Sequence, residues 1–293
     1  MLRFEPRRSS ALRLAVLDAL LGGIRKGIVD PFSLEPKQLA RKRAALQAVL
    51  AFFPTAFYAQ ARFEPSTIPR GEWVIPTRET NASPILYIHG GAFVAGSPAS
   101  HRSLTSRIAQ VTQRSVFSCA YRLCPECTFP AALEDVLAAI RYTDAKILMG
   151  DSAGGNLAVS AALQLQGIQR LVLFSPWLDL SLQSLSWVRA QDVLLRRDKA
   201  EMIAASYAGS ISRQDPRVSP LFSTSLERLP ATLIHVGGAD ALKDDSIRLV
   251  ETSGGDVEVV VWEEMPHVFP LFGGLESIGA LHQVEQFLKE FHS

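Results

Sequence analysis

Cysteine is scarce, with three among 293 residues. An odd, small number argues against a disulfide framework and makes a reducing, cytoplasmic location the expectation. An excess of charge of either sign is also missing. The 30 Lys plus Arg against 29 Asp plus Glu leave a formal +1, and no basic block is longer than Arg41-Lys42-Arg43. The footprint with which proteins neutralise nucleic-acid phosphates is therefore lacking, and no nucleic-acid partner is expected. Long hydrophobic runs are absent as well. The most apolar stretch, from Ala44 to Ala59, is interrupted by Gln47, Pro54 and Thr55 and falls short of the roughly 18 to 20 apolar residues of a spanning helix. Arg13 and Asp18 break the core that a secretion signal would need in the first 30 residues. There is no internal repeat or low-complexity tract. What remains, 47% hydrophobic and 20% charged residues, is the composition of a soluble globular protein.

Two patterns divide the chain. The first 65 or so residues lack strand-like runs: Leu17, Leu20, Leu21, Ile24 and Ile28 recur at helical spacing, as do Leu46, Val49, Leu50 and Phe53. Residues 1–65 are thus expected to form a helical cap. From residue 73 short apolar runs alternate with helical stretches, the signature of βαβ units and a mostly parallel sheet. The strands expected are Trp73–Ile75, Ile85–Ile88, Val116–Ala120, Lys146–Met149, Leu171–Phe174, Thr232–Val236 and Val257–Trp262. The fold class expected is α/β, with the main domain over 66–293. Residues 181–213 run helical for longer than a crossover needs and are expected to add a second piece of cap.

One turn carries chemistry. Lys146-Ile-Leu-Met leads directly into Gly150-Asp-Ser152-Ala-Gly154-Gly155 and then a good helix from Asn156. A serine hydroxyl is a weak nucleophile, and a sharp strand-to-helix turn exposes its oxygen to a base while the helix N-terminus favours developing negative charge. A phosphate-binding turn would need Gly-Lys-Ser/Thr or Gly-x-Gly-x-x-Gly, and neither is present. Ser152 is the expected nucleophile.

A second turn, His89-Gly90-Gly91-Ala92-Phe93, follows the run Pro84–Ile88 some 60 residues earlier. Acyl transfer builds an alkoxide, and backbone N–H groups aimed at it lower the barrier by about 3 to 4 kcal/mol each. Together with Tyr121-Arg-Leu, Pro125-Glu126, Phe129-Pro-Ala-Ala132, Asp215-Pro-Arg-Val-Ser-Pro220 and Met265-Pro-His267-Val-Phe, these turns make residues 73–290 resemble the α/β-hydrolases of the hormone-sensitive lipase group. The resemblance implies an α/β-hydrolase fold with a helical cap and an oxyanion hole built from the N–H groups of Gly90, Gly91 and Ala153. It also implies a Ser-His-Asp carboxylic ester hydrolase for short to medium acyl chains, working without cofactor or metal. Ala92 stands where the commonest pattern of the group has a third glycine, and the connection from Tyr142 to Lys146 is short.

In this fold the order is Ser, acid, His, so the base must come late, on a loop after the last strand. His267 fits. Of the other histidines, His235 lies in an apolar run and is expected to be a satisfied core residue, His282 and His292 are surface positions near the C-terminus, and His101 would line the entrance. The acid should sit at the carboxyl end of the preceding strand. Asp240, after Ala231-Thr-Leu-Ile-His-Val-Gly-Gly, is the expected acid and Asp179 the runner-up. Asp244 and Asp245 read as helix caps.

Cys124-Pro-Glu-Cys127 has a metal-like spacing, but Cys119 is the only other cysteine and a zinc site needs four ligands. Asp151 and Glu126 are expected to bond loop backbone, and Phe52, Phe53, Phe57 and Tyr58 to line an acyl pocket or pack the cap. The expected partner is a small-molecule ester, with a homodimer left open. A lactone or amide hydrolase or a deacetylase on the same triad, and a non-catalytic receptor on the same fold, are the alternatives.

Overall fold

The apolar runs lie side by side in one sheet. A computed structural model describes residues 1–9, 11–30, 33–51, 61–80, 82–190 and 192–289, apart from the side chains of Leu12 and Ala51. Phe52, Phe53, Phe57, Tyr58 and His292 lie outside these residues. The strands are β1 (Leu2–Glu5), β2 (Ala61–Thr67), β3 (Arg70–Pro76), β4 (Ile85–Ile88), β5 (Val116–Cys119), β6 (Ile147–Asp151), β7 (Arg170–Phe174), β8 (Ala231–Gly237) and β9 (Val257–Trp262). The helices are α1 (Ala11–Ile24), α2 (Pro36–Ala51), α3 (Pro98–Thr112), α4 (Ala131–Thr143), α5 (Ala153–Gln164), α6 (Ser186–Arg189), α7 (Arg197–Ala208), α8 (Lys243–Ser253) and α9 (Leu275–Lys289). Strand order is β1-β9-β8-β7-β6-β4-β5-β3-β2. Pairing is parallel from β1 to β5 and antiparallel at β5–β3 and β3–β2.

Central strands are buried on both faces, which is why they read as unbroken apolar runs. Successive residues still divide between two cores. Leu86, Ile88, Leu148, Leu171 and Leu173 pack under α4, α5 and α8, whereas Ile85, Tyr87, Ile147, Met149 and Val172 face α1, α3 and α9. Local signals end the helices where the chain needs to turn. Ser97 caps α3, its side chain accepting the Ser100 N–H at 3.2 Å, with Pro98 just inside. Asp144, left-handed at φ 50°, stops α4 and makes the short connection into β6 workable.

The first 65 residues differ from the expectation. β1 pairs in parallel with β9, Leu2 opposite Val259, and β2 starts at Ala61. Both are edge strands. β1 is four residues long and mostly exposed, and β2 carries Pro65, so neither shows the apolar run that burial on two faces imposes. Residues 181–213 also differ: they hold two separate helices, α6 and α7, rather than one long helical run. Among the described residues, no helix is long and apolar enough to cross a membrane.

The order of strands places the site. From β4 the chain first goes outward to β5 and then returns to β6 on the other side of β4. Carboxyl ends of neighbouring strands at such a reversal border an open crevice. Ile88 is paired with Gly150, so the loop after β4 and the turn after β6 meet there.

Candidate active site

Ser152 sits between the last residue of β6 and the first of α5, with φ 51°. A non-glycine residue in the left-handed region costs about 1 to 2 kcal/mol, and surrounding bonds hold it there. The Ser152 N–H donates to the Phe174 carbonyl at 3.0 Å, and the Ser152 carbonyl accepts the Trp177 N–H at 3.0 Å. The helix can approach only because residue 154 is glycine: a Cβ there would collide with the carbonyl oxygens of Ile88 and His89.

The three residues expected to act together converge. Ser152 donates its O–H to His267 Nε2 at 3.0 Å, and His267 Nδ1–H lies 3.1 Å from both Asp240 oxygens. Asp240 is fully buried, and its Oδ1 also accepts the Leu242 N–H at 2.8 Å. Left unpaired, such a carboxylate would cost several kcal/mol. Burial alone would lower the His267 pKa, but the charges of Asp240, Asp192 and Asp151 outweigh it and raise the group above the ordinary histidine value. The loop carrying His267 is tied down behind it. The Val268 N–H donates to Ser175 Oγ at 3.0 Å, and Arg107, from α3, donates to the Pro270 carbonyl at 2.8 Å.

One expected oxyanion donor is displaced. The N–H of Gly90 donates to Asp151 Oδ1 at 2.9 Å and is spent inside the protein. Gly91 and Ala92, by contrast, border the same cavity as Ser152. Their N–H groups, and that of Ala153 at the start of α5, take no acceptor among the described residues. Ala92 has φ 54°, which explains the glycine usual at this position.

Asp151 anchors the loop after β4. Besides Gly90 it accepts the Tyr87 O–H at 2.6 Å and lies 3.4 Å from His101 Nε2. Burial raises its pKa, but His101 and Tyr87 more than offset this and leave it below the usual carboxylate value. His101 borders the cavity as expected but is buried. His89 stacks on Tyr121 at 4.3 Å, and burial lowers it to about 4, so it is neutral.

Other expected roles change. Asp179 is buried and paired with Arg248 at 2.7 Å. Asp245 caps no helix: its oxygens accept the N–H groups of Leu178 and Asp179 at 2.9 and 3.0 Å and the Ser184 hydroxyl at 2.5 Å. Asp244 accepts the Ser186 N–H at 2.8 Å. Glu126 bonds backbone as expected, through its own N–H, and also forms a two-pronged pair with Arg43 of α2. His235 is only half satisfied, since Nδ1 accepts from Trp262 Nε1–H at 3.1 Å while Nε2 has no partner. All three cysteines are free, and burial raises Cys119 and Cys124 to about 12, which keeps both as thiols. Among the described residues no group of three His, Cys, Asp or Glu side chains could hold a metal ion.

A cavity of about 200 Å³ opens at Ser152. Ile24 and Ile28 from α1 and the turn after it, Leu46 and Leu50 from α2, Trp187 from α6 and Ala200 and Ile203 from α7 wall it. Residues from α1–α2 and from α6–α7 thus border the same cavity as Ser152.

The family described as having the alpha/beta hydrolase fold matches residues 85–271, so the chain belongs to it. An acetyl-hydrolase of Streptomyces hygroscopicus is 35% identical over 68% of this chain and 71% of its own length. An esterase of Acinetobacter venetianus is 37% identical over 76% of this chain and 80% of its own. The crystal structure of an esterase from the bacterial hormone-sensitive lipase family superposes with a TM-score of 0.85 at 28% identity, covering 97% of this chain and 99% of that one. With these relatives, the chain is an enzyme of the serine carboxylesterase class.

Proposed function

We propose that the enzyme hydrolyses carboxylic esters of short to medium acyl chains through an acyl-enzyme on Ser152, with His267 as base and Asp240 as its orienting acid. The contact that carries this reading is the 3.0 Å bond from Ser152 Oγ to His267 Nε2, backed by Asp240. Ser152 Oγ attacks the ester carbonyl as His267 takes its proton. The carbonyl oxygen becomes an alkoxide facing the N–H groups of Gly91, Ala92 and Ala153, and its collapse expels the alcohol, which takes the proton from His267. Water, deprotonated by His267, then attacks the acyl-enzyme, and the acid leaves as Ser152 regains its proton. Asp240 stabilises the imidazolium in both halves. No step uses a metal or cofactor.

The apolar cavity of about 200 Å³ supports a small acyl group, as does the similarity to an acetyl-hydrolase. The first 51 residues and α6–α7 supply its far walls and would set chain-length preference without entering bond making. A fluorophosphonate probe should label the purified protein at Ser152, and p-nitrophenyl esters should be hydrolysed best at short to medium chain length. Absence of labelling in the folded protein, or hydrolysis that survives Ser152→Ala, would overturn the reading.

A further inference from the structure

Before α7 the chain bends at Val193 and Leu194, and one carboxylate fastens this bend to the sheet side of the site. Asp192 Oδ1 accepts the N–H groups of Leu194 at 2.7 Å and Leu195 at 2.8 Å, closing a turn whose two leucines border the cavity. Asp192 Oδ2 reaches across to accept the Ala241 N–H at 2.9 Å. Ala241 is the neighbour of Asp240, and the next residue, Leu242, both donates to Asp240 and borders the cavity.

No lysine or arginine pairs with this carboxylate among the described residues, and His267 only partly offsets its burial. Arg196 pairs with Asp30 and Asp198, Lys243 donates to the Gly238 carbonyl, and Asp244 is engaged with the Ser186 N–H. Burial first and the charge of Asp240 second raise the Asp192 pKa. Keeping an acid here costs free energy that an apolar residue would avoid. What only a carboxylate supplies is two acceptor oxygens pointing in opposite directions, one for each segment, together with a charge.

We propose that Asp192 is a positioning residue for hydrolysis: it clasps the turn that walls the acyl pocket to the loop that bears the triad acid, and sets a second negative charge beside Asp240. The pocket wall and the acid then move as one unit, so acyl-chain fit and triad geometry share a single fastening. This rests on the triad reading above.

The charges facing His267 are Asp240, Asp192 and Asp151, each raising its pKa. Neutral His267 is needed as base, so removing one of these charges moves the acid limb of kcat/KM to lower pH. Asp192→Asn keeps one oxygen and loses the charge. It is expected to lower kcat by roughly tenfold or more through misplacement of the acid loop, to shift the acid limb to lower pH, and to flatten the preference among p-nitrophenyl esters of different chain length. Asp192→Glu keeps the charge but displaces the oxygens. Its limb should stay near the wild-type pH while kcat falls and the chain-length preference flattens, which preserves the test if the Asn variant fails to fold.

An Asn variant that melts earlier yet keeps kcat, acid limb and chain-length profile overturns the proposal, as does a Glu variant equal to wild type in kcat and profile. Fluorophosphonate labelling of the wild type runs alongside. If the wild type is not labelled, the triad reading falls and this proposal with it; if the wild type is labelled and the variants are unchanged, only the role of Asp192 falls.

Discussion

Asp151 Oδ1 accepts the N–H of Gly90 at 2.9 Å, so the residue just before Ser152 holds the loop that follows β4. The Gly90 N–H is thereby engaged inside the protein, while Gly91 and Ala92 border the cavity at Ser152. Under the proposed mechanism, the turn after β6 would present the nucleophile and also position the donors that meet the alkoxide.

Replacing Asp151 should separate transition-state stabilisation from substrate binding. Asp151→Ala leaves the Gly90 N–H and the Tyr87 hydroxyl buried without an acceptor, at about 1 to 3 kcal/mol each, and lowers the melting temperature. In Asp151→Asn one acceptor survives, so the fold should hold while kcat drops by roughly 10- to 100-fold and KM changes little, because misaimed donors act on the alkoxide. Steady-state kinetics with a melting curve decide it; a change confined to KM would mean that Asp151 shapes the pocket instead.

Ala92 is held at φ 54°, where a Cβ is penalised. Ala92→Gly should relieve up to about 1 kcal/mol of that strain with activity retained. Ala92→Val, β-branched and disfavoured at positive φ, should lose both stability and turnover. Thermal melts and kcat for the two variants are the check, and a Val variant equal to wild type would place the oxyanion donors elsewhere.

The triad should behave as a unit. Ser152→Ala and His267→Ala are each expected to lower kcat by about 10⁴- to 10⁶-fold, with little further loss when combined. Asp240→Asn should cost about 10⁴ by favouring the wrong tautomer of His267. Asp179→Asn should leave kcat within a few-fold of wild type, since its partner is Arg248; a greater loss there than at Asp240 would exchange the two acids.

Activity should fall on the acid side through the titration of His267. Its pKa is raised above the ordinary value by Asp240, Asp192 and Asp151 against the opposing effect of burial, and only the neutral ring can accept the serine proton. The acid limb of kcat/KM is therefore expected above about pH 6.5. A limb well below that value would show that the neighbouring carboxylates do not govern the base.

How far the sequence reaches is clearest at the elbow. An apolar run, Gly-x-Ser-x-Gly and a good helix are all local, and β4 and β9 occupy the residues that their apolar runs predict. His267 is marked as the candidate base by its place after the last strand together with the Met265-Pro-His267-Val-Phe match. Patterns of this kind constrain a backbone within a few residues, and burial on both faces leaves an unmistakable trace in the central strands. The edge strands β1 and β2 carry no such trace, because an edge needs one partner and little burial.

What only the tertiary structure decided are the bonds between distant segments. Gly90 and Asp151 are 61 residues apart, Asp192 and Ala241 are 49 apart, and Leu178 and Asp245 are 67 apart. Each joins a side-chain oxygen to a backbone N–H, a group that every residue but proline carries, so no residue type marks the partner in advance. Which N–H groups border the cavity with Ser152, which aspartate lies against His267 and which joins the chain before α7 to the loop after β8 depend on where strand order brings the loops together.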